Sequence, residues 1–244
     1  MKRTLLVTLL SLGLAGTGLA EEKIVIKGSD TLGAKLVPQL AEAYKNAGNA
    51  ASFEIAAEGS STAFANLIAG TADIGMSSRA IKEKEAAEAK AKGLDLKETV
   101  AAFDMIAVIV HKRNKVEELT KAQVEGIFTG DITDWSELGG RPGKISVYTR
   151  NTSSGTYADF QKMGMNKRDY GQSCQKLAGN EQIASEVGGN KNGIGYVGLA
   201  YLQAKGIKPV KIDGAKAAAS DVEKYPLARK TYYYTNGEPK GAAK

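Results

Sequence analysis

Three times along this chain a run of apolar and β-branched residues ends in a turn of glycine and hydroxyl residues and passes at once into helical periodicity. The three stretches are "IVIKGSDT" from Ile24, "EIAAEGSST" from Glu54 and "VYTRNTSSGT" from Val147. Repeated strand–turn–helix order is the signature of an α/β architecture with parallel or mixed sheets. In such sheets ligands sit beyond the strand ends, where helices begin. A helix start carries unpaired N–H groups and about half a positive charge, so three converging starts form a ready anion site. Arg150 adds a permanently charged fork suited to phosphate or carboxylate. Taken singly, each Ser or Thr at these turns also reads as an ordinary helix cap.

The remaining periodicity fills in around these turns. "TLGAKLVPQLAEAYKNAG" predicts one helix with Leu32, Leu36, Leu40 and Tyr44 on a shared face. "DIGMSS" predicts a strand and "KEKEAAEAKAKG" a charged helix. "TVAAFDMIAVIVHK" is nearly continuous in apolar residues, which suits a strand buried on both faces or one that crosses between lobes. "TKAQVEGIFTG" predicts a helix, the stretch from Gly179 to Gly206 is irregular, and the tail "NGEPKGAAK" reads as disordered.

Residues 1–20 have a basic start at Lys2 and Arg3, an apolar run from Leu5 to Leu14 and small residues up to Ala20. This is the pattern of a secretory signal peptide cleaved after Ala20; the run is too short to span a bilayer. The alternative is an N-terminal anchor that is retained. Cleavage lowers the formal charge from +6 to about +4, and the lysines are scattered, so a nucleic-acid partner is not expected. Cys174 is the sole cysteine, which excludes an internal disulfide. A periplasmic location fits best.

Enzymatic readings find little support. Ser154 needs a base to become a nucleophile, and the sole histidine, His111, ends the apolar run. Neither a G-x-S-x-G elbow nor a phosphate-cradling G-x-x-x-x-G-K-[ST] loop occurs. Asp73, Asp104 and Asp131 are spread apart, and no His or Cys spacing suggests a metal. No catalytic residue, metal or cofactor is therefore expected.

Six segments together resemble the periplasmic phosphate-binding protein family of phosphate ABC importers, in its compact version. They are "KGSDT", "EGSSTAF", "GTADIGMSSRAIK", "LTKAQVEGIFTGDITDWSELGG", "TRNTSSGTYADF" and "NKNGIGYVGLAY". The resemblance implies a two-lobed periplasmic-binding-protein fold of type II, with two crossing strands as hinge and the ligand in the cleft. It implies lobe I from 21–103 and 196–244 and lobe II from 104–195, with crossings near Ala102–Ile106 and Gly193–Val197. Carried over position by position, it places Thr31 (hydroxyl and backbone), Leu32 (N–H) and Ser60 in one lobe. Arg150, Ser154, Gly155 and Thr156 come from the other.

Long members of the family have an aspartate in the loop that here reads "GMSSRA", where it accepts the proton of hydrogen phosphate; the aligned residue is Ser78, followed by Arg79. Arg79 is then either a second cation for the cleft or a surface arginine paired with a nearby Glu. Asp30 either replaces the missing acceptor or caps its helix. The resemblance implies inorganic phosphate as ligand, the membrane subunits of an ABC permease as partner, and a monomer. The alternatives are another tetrahedral oxyanion (sulfate, molybdate or a phosphate ester), a secreted phosphoester hydrolase using Ser154, or an envelope protein that keeps only the scaffold.

Overall fold

The computed structural model describes residues 22–244; the leader expected over residues 1–20 lies outside them. The first half of the chain runs β1 (Glu22–Gly28), α1 (Asp30–Gly33), α2 (Leu36–Asn46), β2 (Ala51–Ala56), α3 (Ser60–Ile68), β3 (Ile74–Ser77) and α4 (Glu83–Ala91). It then enters the long strand β4 (Leu96–His111). Beyond it come β5 (Glu118–Leu119), α5 (Lys121–Thr129), β6 (Ser146–Arg150), α6 (Gly155–Gly164), β7 (Gln175–Leu177), α7 (Asn180–Gly189) and β8 (Gly193–Gly198). The chain closes with β9 (Ile207–Pro209), β10 (Lys211–Ile212) and β11 (Ala228–Asn236). Among the described residues no helix is long and apolar enough to cross a membrane.

The strand path is β2-β1-β3-β11-β4-β8-β6-β7, with β9 added to β4 and a separate two-residue pairing of β5 with β10. β1 pairs in parallel with β2 and β3, and β6 in parallel with β8 and β7. The antiparallel strands β11 and β4 stand between these two parallel groups. β4 belongs to both halves: residues 96–105 pair with β11, and Ile106–Val110 with β8. Burial follows this division. Met105–His111 is buried throughout, as its apolar run demands, whereas Phe103 on the crossing segment is 67% exposed.

Three expectations change. The single helix from Thr31 is broken at Ala34–Lys35 into α1 and α2. Pro38 accounts for the restart, because a residue without an N–H is tolerated in a first turn and not in a helix interior. The stretch from Gly179 is ordered into α7 and β8, and the tail folds back: its Ala242 N–H donates to Glu22 Oε2 at 2.9 Å.

The lobe boundary also differs from the expectation. Gly193–Val197 lies inside β8, wholly buried and paired with β4 and β6. Val210, Ile212, Tyr225 and Leu227 pack into the core built on Val108, Phe128, Phe160 and Tyr196. The chain therefore returns at Leu227–Ala228 and not near residue 196. At that point Ile106 N–H donates to the Leu227 carbonyl at 3.0 Å and the Tyr225 hydroxyl donates to the Ile106 carbonyl at 3.0 Å. The first half has its own core around Ile24, Ile26, Leu32, Val37 and Met76. The mixed α/β class and two-part build stand as expected.

Candidate functional site

The helix starts of α1, α3 and α6 meet between the two halves. Thr31 Oγ1 lies 2.9 Å from Thr156 Oγ1, Thr156 Oγ1 lies 3.4 Å from Ser78 Oγ, and Ser78 Oγ lies 3.1 Å from Ser60 Oγ. Four hydroxyls thus form a continuous chain, contributed by α1, α6, the end of β3 and the start of α3. All four residues are buried. Two glycines permit the approach. A Cβ on Gly155 would stand 2.4 Å from Ser60 Oγ and 2.7 Å from Ser78 Oγ. Gly59 holds φ at +133°, and its Cβ would meet Ser153 at 2.6 Å. Beside it the Ser61 N–H donates to the Ser153 carbonyl at 3.0 Å, joining the halves through backbone.

The polarity of this cluster is partly fixed. Ser60 Oγ accepts from the Ser78 N–H at 3.0 Å, so its own O–H must donate elsewhere. Ser154 caps α6, accepting from the Tyr157 N–H at 3.2 Å, and keeps its proton for another acceptor. Gly155 and Thr156 open α6, and their first-turn N–H groups have no intrahelical acceptor. Leu32 sends its side chain into the core of the first half, leaving its backbone in the short turn of α1.

Arg150, at the end of β6, is 1% exposed. Its Nε donates to the Ala178 carbonyl at 3.1 Å. Nη1 stands 3.1 Å from Asp30 Oδ2. That contact is ionic and poorly aligned, so Nη1 has no hydrogen-bond partner among the described residues. Burial pushes the guanidinium below its usual range, with Asp30 pulling the other way. Asp30 also accepts from the backbone and side-chain N–H groups of Asn180. Its role is thus neither a local cap nor a free acceptor: it holds Arg150 and Asn180 across the interface.

Arg79, expected beside this cluster, is placed differently. Nη1 and Nη2 grip Glu85 at 2.8 and 2.6 Å, with further bonds to the Ala80 carbonyl and Ser61 Oγ. Its guanidinium lies 5.3 Å from the centre of the Phe64 ring. The paired reading thus describes its position, although the pair is buried and not on the surface.

Three residues escaped the sequence reading. Asn180 is fully buried, donates to Thr31 Oγ1 at 3.4 Å and accepts from the Gly198 N–H at 3.0 Å. Arg229 on β11 pairs with Asp104 of β4 at 2.9 Å and donates to Thr156 Oγ1 at 2.9 Å. Asp159 of α6 faces the same guanidinium at 3.5 Å. Asp104 left one trace, as the lone charge inside "AAFDMIAVIV". The others show no local signal, because the charged partners that Asn180 and Arg229 meet lie 70 to 150 residues away.

Among the described residues the hydroxyl of Ser154 is bonded to the Tyr157 N–H. His111 lies at the far end of β4, accepting from the Arg113 N–H at 3.0 Å, with its pKa lowered by burial and by Arg113, Lys112 and Lys191. Among the described residues no group of three or more His, Cys, Asp or Glu side chains is gathered for a metal ion. The arrangement can grip a small oxyanion with hydroxyls, helix-start N–H groups and one underused guanidinium.

Comparison with known proteins places the chain in a family. A model of the PBP superfamily domain matches residues 15–244. The phosphate-binding protein PstS of Pseudomonas aeruginosa is 35% identical over 233 residues, covering 87% of this chain and 72% of the relative. A phosphate ABC transporter substrate-binding protein from Clostridium perfringens, solved with bound phosphate, is 35% identical with a TM-score of 0.83, covering 91% of this chain and 89% of that one. An ABC-type phosphate transport receptor from Vibrio cholerae is 28% identical with a TM-score of 0.70, covering 89% and 88%. The chain belongs to the PBP superfamily and, within it, to the family of these phosphate-binding relatives.

Proposed function

We propose that this member of the family is a solute-binding receptor that closes its two halves on inorganic phosphate and delivers it to the membrane subunits of an ABC importer. The observation that carries the reading is Arg150. A guanidinium buried to 1% with Nη1 lacking a hydrogen-bond partner is costly unless something completes it. Around it stand hydroxyls and helix starts that offer hydrogen to an anion. Thr31, Leu32, Ser60 and Ser78 act from the first half, and Arg150, Ser154, Gly155 and Thr156 from the second. Contacts that only the closed arrangement can make supply the free energy of closure. The protein works as a monomer outside the cytoplasm, in the periplasm, after removal of residues 1–20.

A second reading keeps the grip and changes the anion to sulfate, molybdate or a phosphate ester. Ser78 favours it, because the hydroxyl chain holds no carboxylate free to accept a proton from the ligand: Asp30 is engaged by Arg150 and Asn180. Calorimetric titration of the mature chain, stripped of bound anion, separates the two. Tight phosphate binding unchanged by millimolar sulfate is the expected result. Equal binding of both anions selects the second reading, and binding of neither overturns both.

A further inference from the structure

We infer that Arg229 is a positioning residue for the bound anion: it fixes the Thr156 hydroxyl so that its proton is delivered into the cleft. This rests on the phosphate-receptor reading of the same site. Arg229 Nη2 lies 2.9 Å from Thr156 Oγ1. A guanidinium has donors only, so the direction of this bond is not in doubt, unlike the hydroxyl–hydroxyl contacts beside it. With one lone pair of Oγ1 taken, the Thr156 proton must go to Thr31, to Ser78 or to a ligand. The first two are hydroxyls that can themselves donate; an unprotonated oxygen of the phosphate can only accept.

The guanidinium is in turn built into the crossing strands. Arg229 and Asp104 are direct cross-strand neighbours on β11 and β4. Nε and Nη2 lie 3.3 and 2.9 Å from Asp104 Oδ2, and Nη1 lies 3.5 Å from Asp159 Oδ2. The other Asp104 oxygen accepts from the Leu199 N–H at 3.1 Å. Arg229 therefore stands between the Thr156 hydroxyl and two carboxylates. Without it, those carboxylates would draw the Thr156 proton away from the cleft and face the anion with like charge. A lysine cannot replace it, because one ammonium lacks the planar fork that reaches Asp104 and Thr156 together.

The test is a double-mutant cycle read by phosphate calorimetry, with the melting temperature of the anion-free protein as control. Arg229→Lys is expected to weaken phosphate binding about tenfold, the worth of one well-made hydrogen bond. In a Thr156→Val background the same change should alter Kd less than about twofold, and in Thr156→Ser the tenfold effect should return, as coupled sites require. If Arg229→Lys does not fold, the charge-matched pair Arg229→Gln with Asp104→Asn takes its place in the cycle. An equal loss in the Thr156→Val background, or a change in melting temperature without a change in Kd, overturns the inference while leaving the receptor reading intact. Failure of the unmodified protein to bind phosphate removes both.

Discussion

The loop after β3 and the end of β6 each bury an arginine, to 3% and 1% exposure, and use it in opposite ways. Arg79 spends both terminal nitrogens on Glu85 and lies against Phe64. Arg150 meets Asp30 off-axis and keeps Nη1 without a hydrogen-bond partner. The first is an ion pair closed within one half at both terminal nitrogens, with only the inner Nε left without a hydrogen-bond partner among the described residues. The second is an open one spanning both halves, beside four hydroxyls. Burial of a cation is therefore not what marks a site; a terminal guanidinium nitrogen left over after burial, where both halves meet, is.

The contrast can be broken most directly at Arg150. Arg150→Ala should weaken phosphate binding by about 4 kcal/mol, roughly a thousandfold, as removal of a buried charged donor does; calorimetry measures it, and retained affinity would dissolve the distinction. Glu85→Ala should do the reverse. It leaves Arg79 buried and unpaired, costing about 3 kcal/mol in denaturant unfolding, while the phosphate Kd stays within about twofold. Gly155→Ala tests the packing of the hydroxyl chain where the halves meet. Its Cβ would crowd Ser60 and Ser78, and an overpacking cost of about 2 kcal/mol should fall on closure and hence on affinity.

The smallest effect concerns Asp159, which shares Arg229 with Asp104. Burial raises its carboxyl above the usual range, with Arg229 opposing. A raised folded-state pKa means that ionised Asp159 costs stability above that pKa, and that the cost disappears as pH falls below the unfolded value. Asp159→Asn should therefore raise the melting temperature slightly at pH 7 and not at pH 3.5. A gain that persists in acid would show that the amide acts by another route.

The three turns and Arg150 were legible because strand, turn, helix start and basic residue are neighbours in sequence. Arg229 was not, since its meaning comes from Asp104, 125 residues away on the adjoining strand. The return crossing was misplaced for a related reason. Strands β9 and β10 are three and two residues long, too short for periodicity to register. Residues 199–227 join the second core through scattered contacts of Val210, Ile212, Tyr225 and Leu227. Arg79 shows the converse limit. Its position beside Ser78 suggested the cleft, and only the fold reveals that Glu85, six residues further on in α4, claims it first.

The place of β11 bears on how the protein is made. In the sheet it lies between β3 and β4, yet it is the last strand of the chain, Ala228–Asn236. The half that opens the sequence cannot close its sheet until the segment Ala228–Asn236 has emerged from the ribosome. Until then β3 and the first part of β4 lack the strand that joins them. Completion depends on pairing between distant segments, which is slow. For the periplasmic receptor proposed above, that delay would carry the chain to the translocation machinery before its first half could become a folded obstacle.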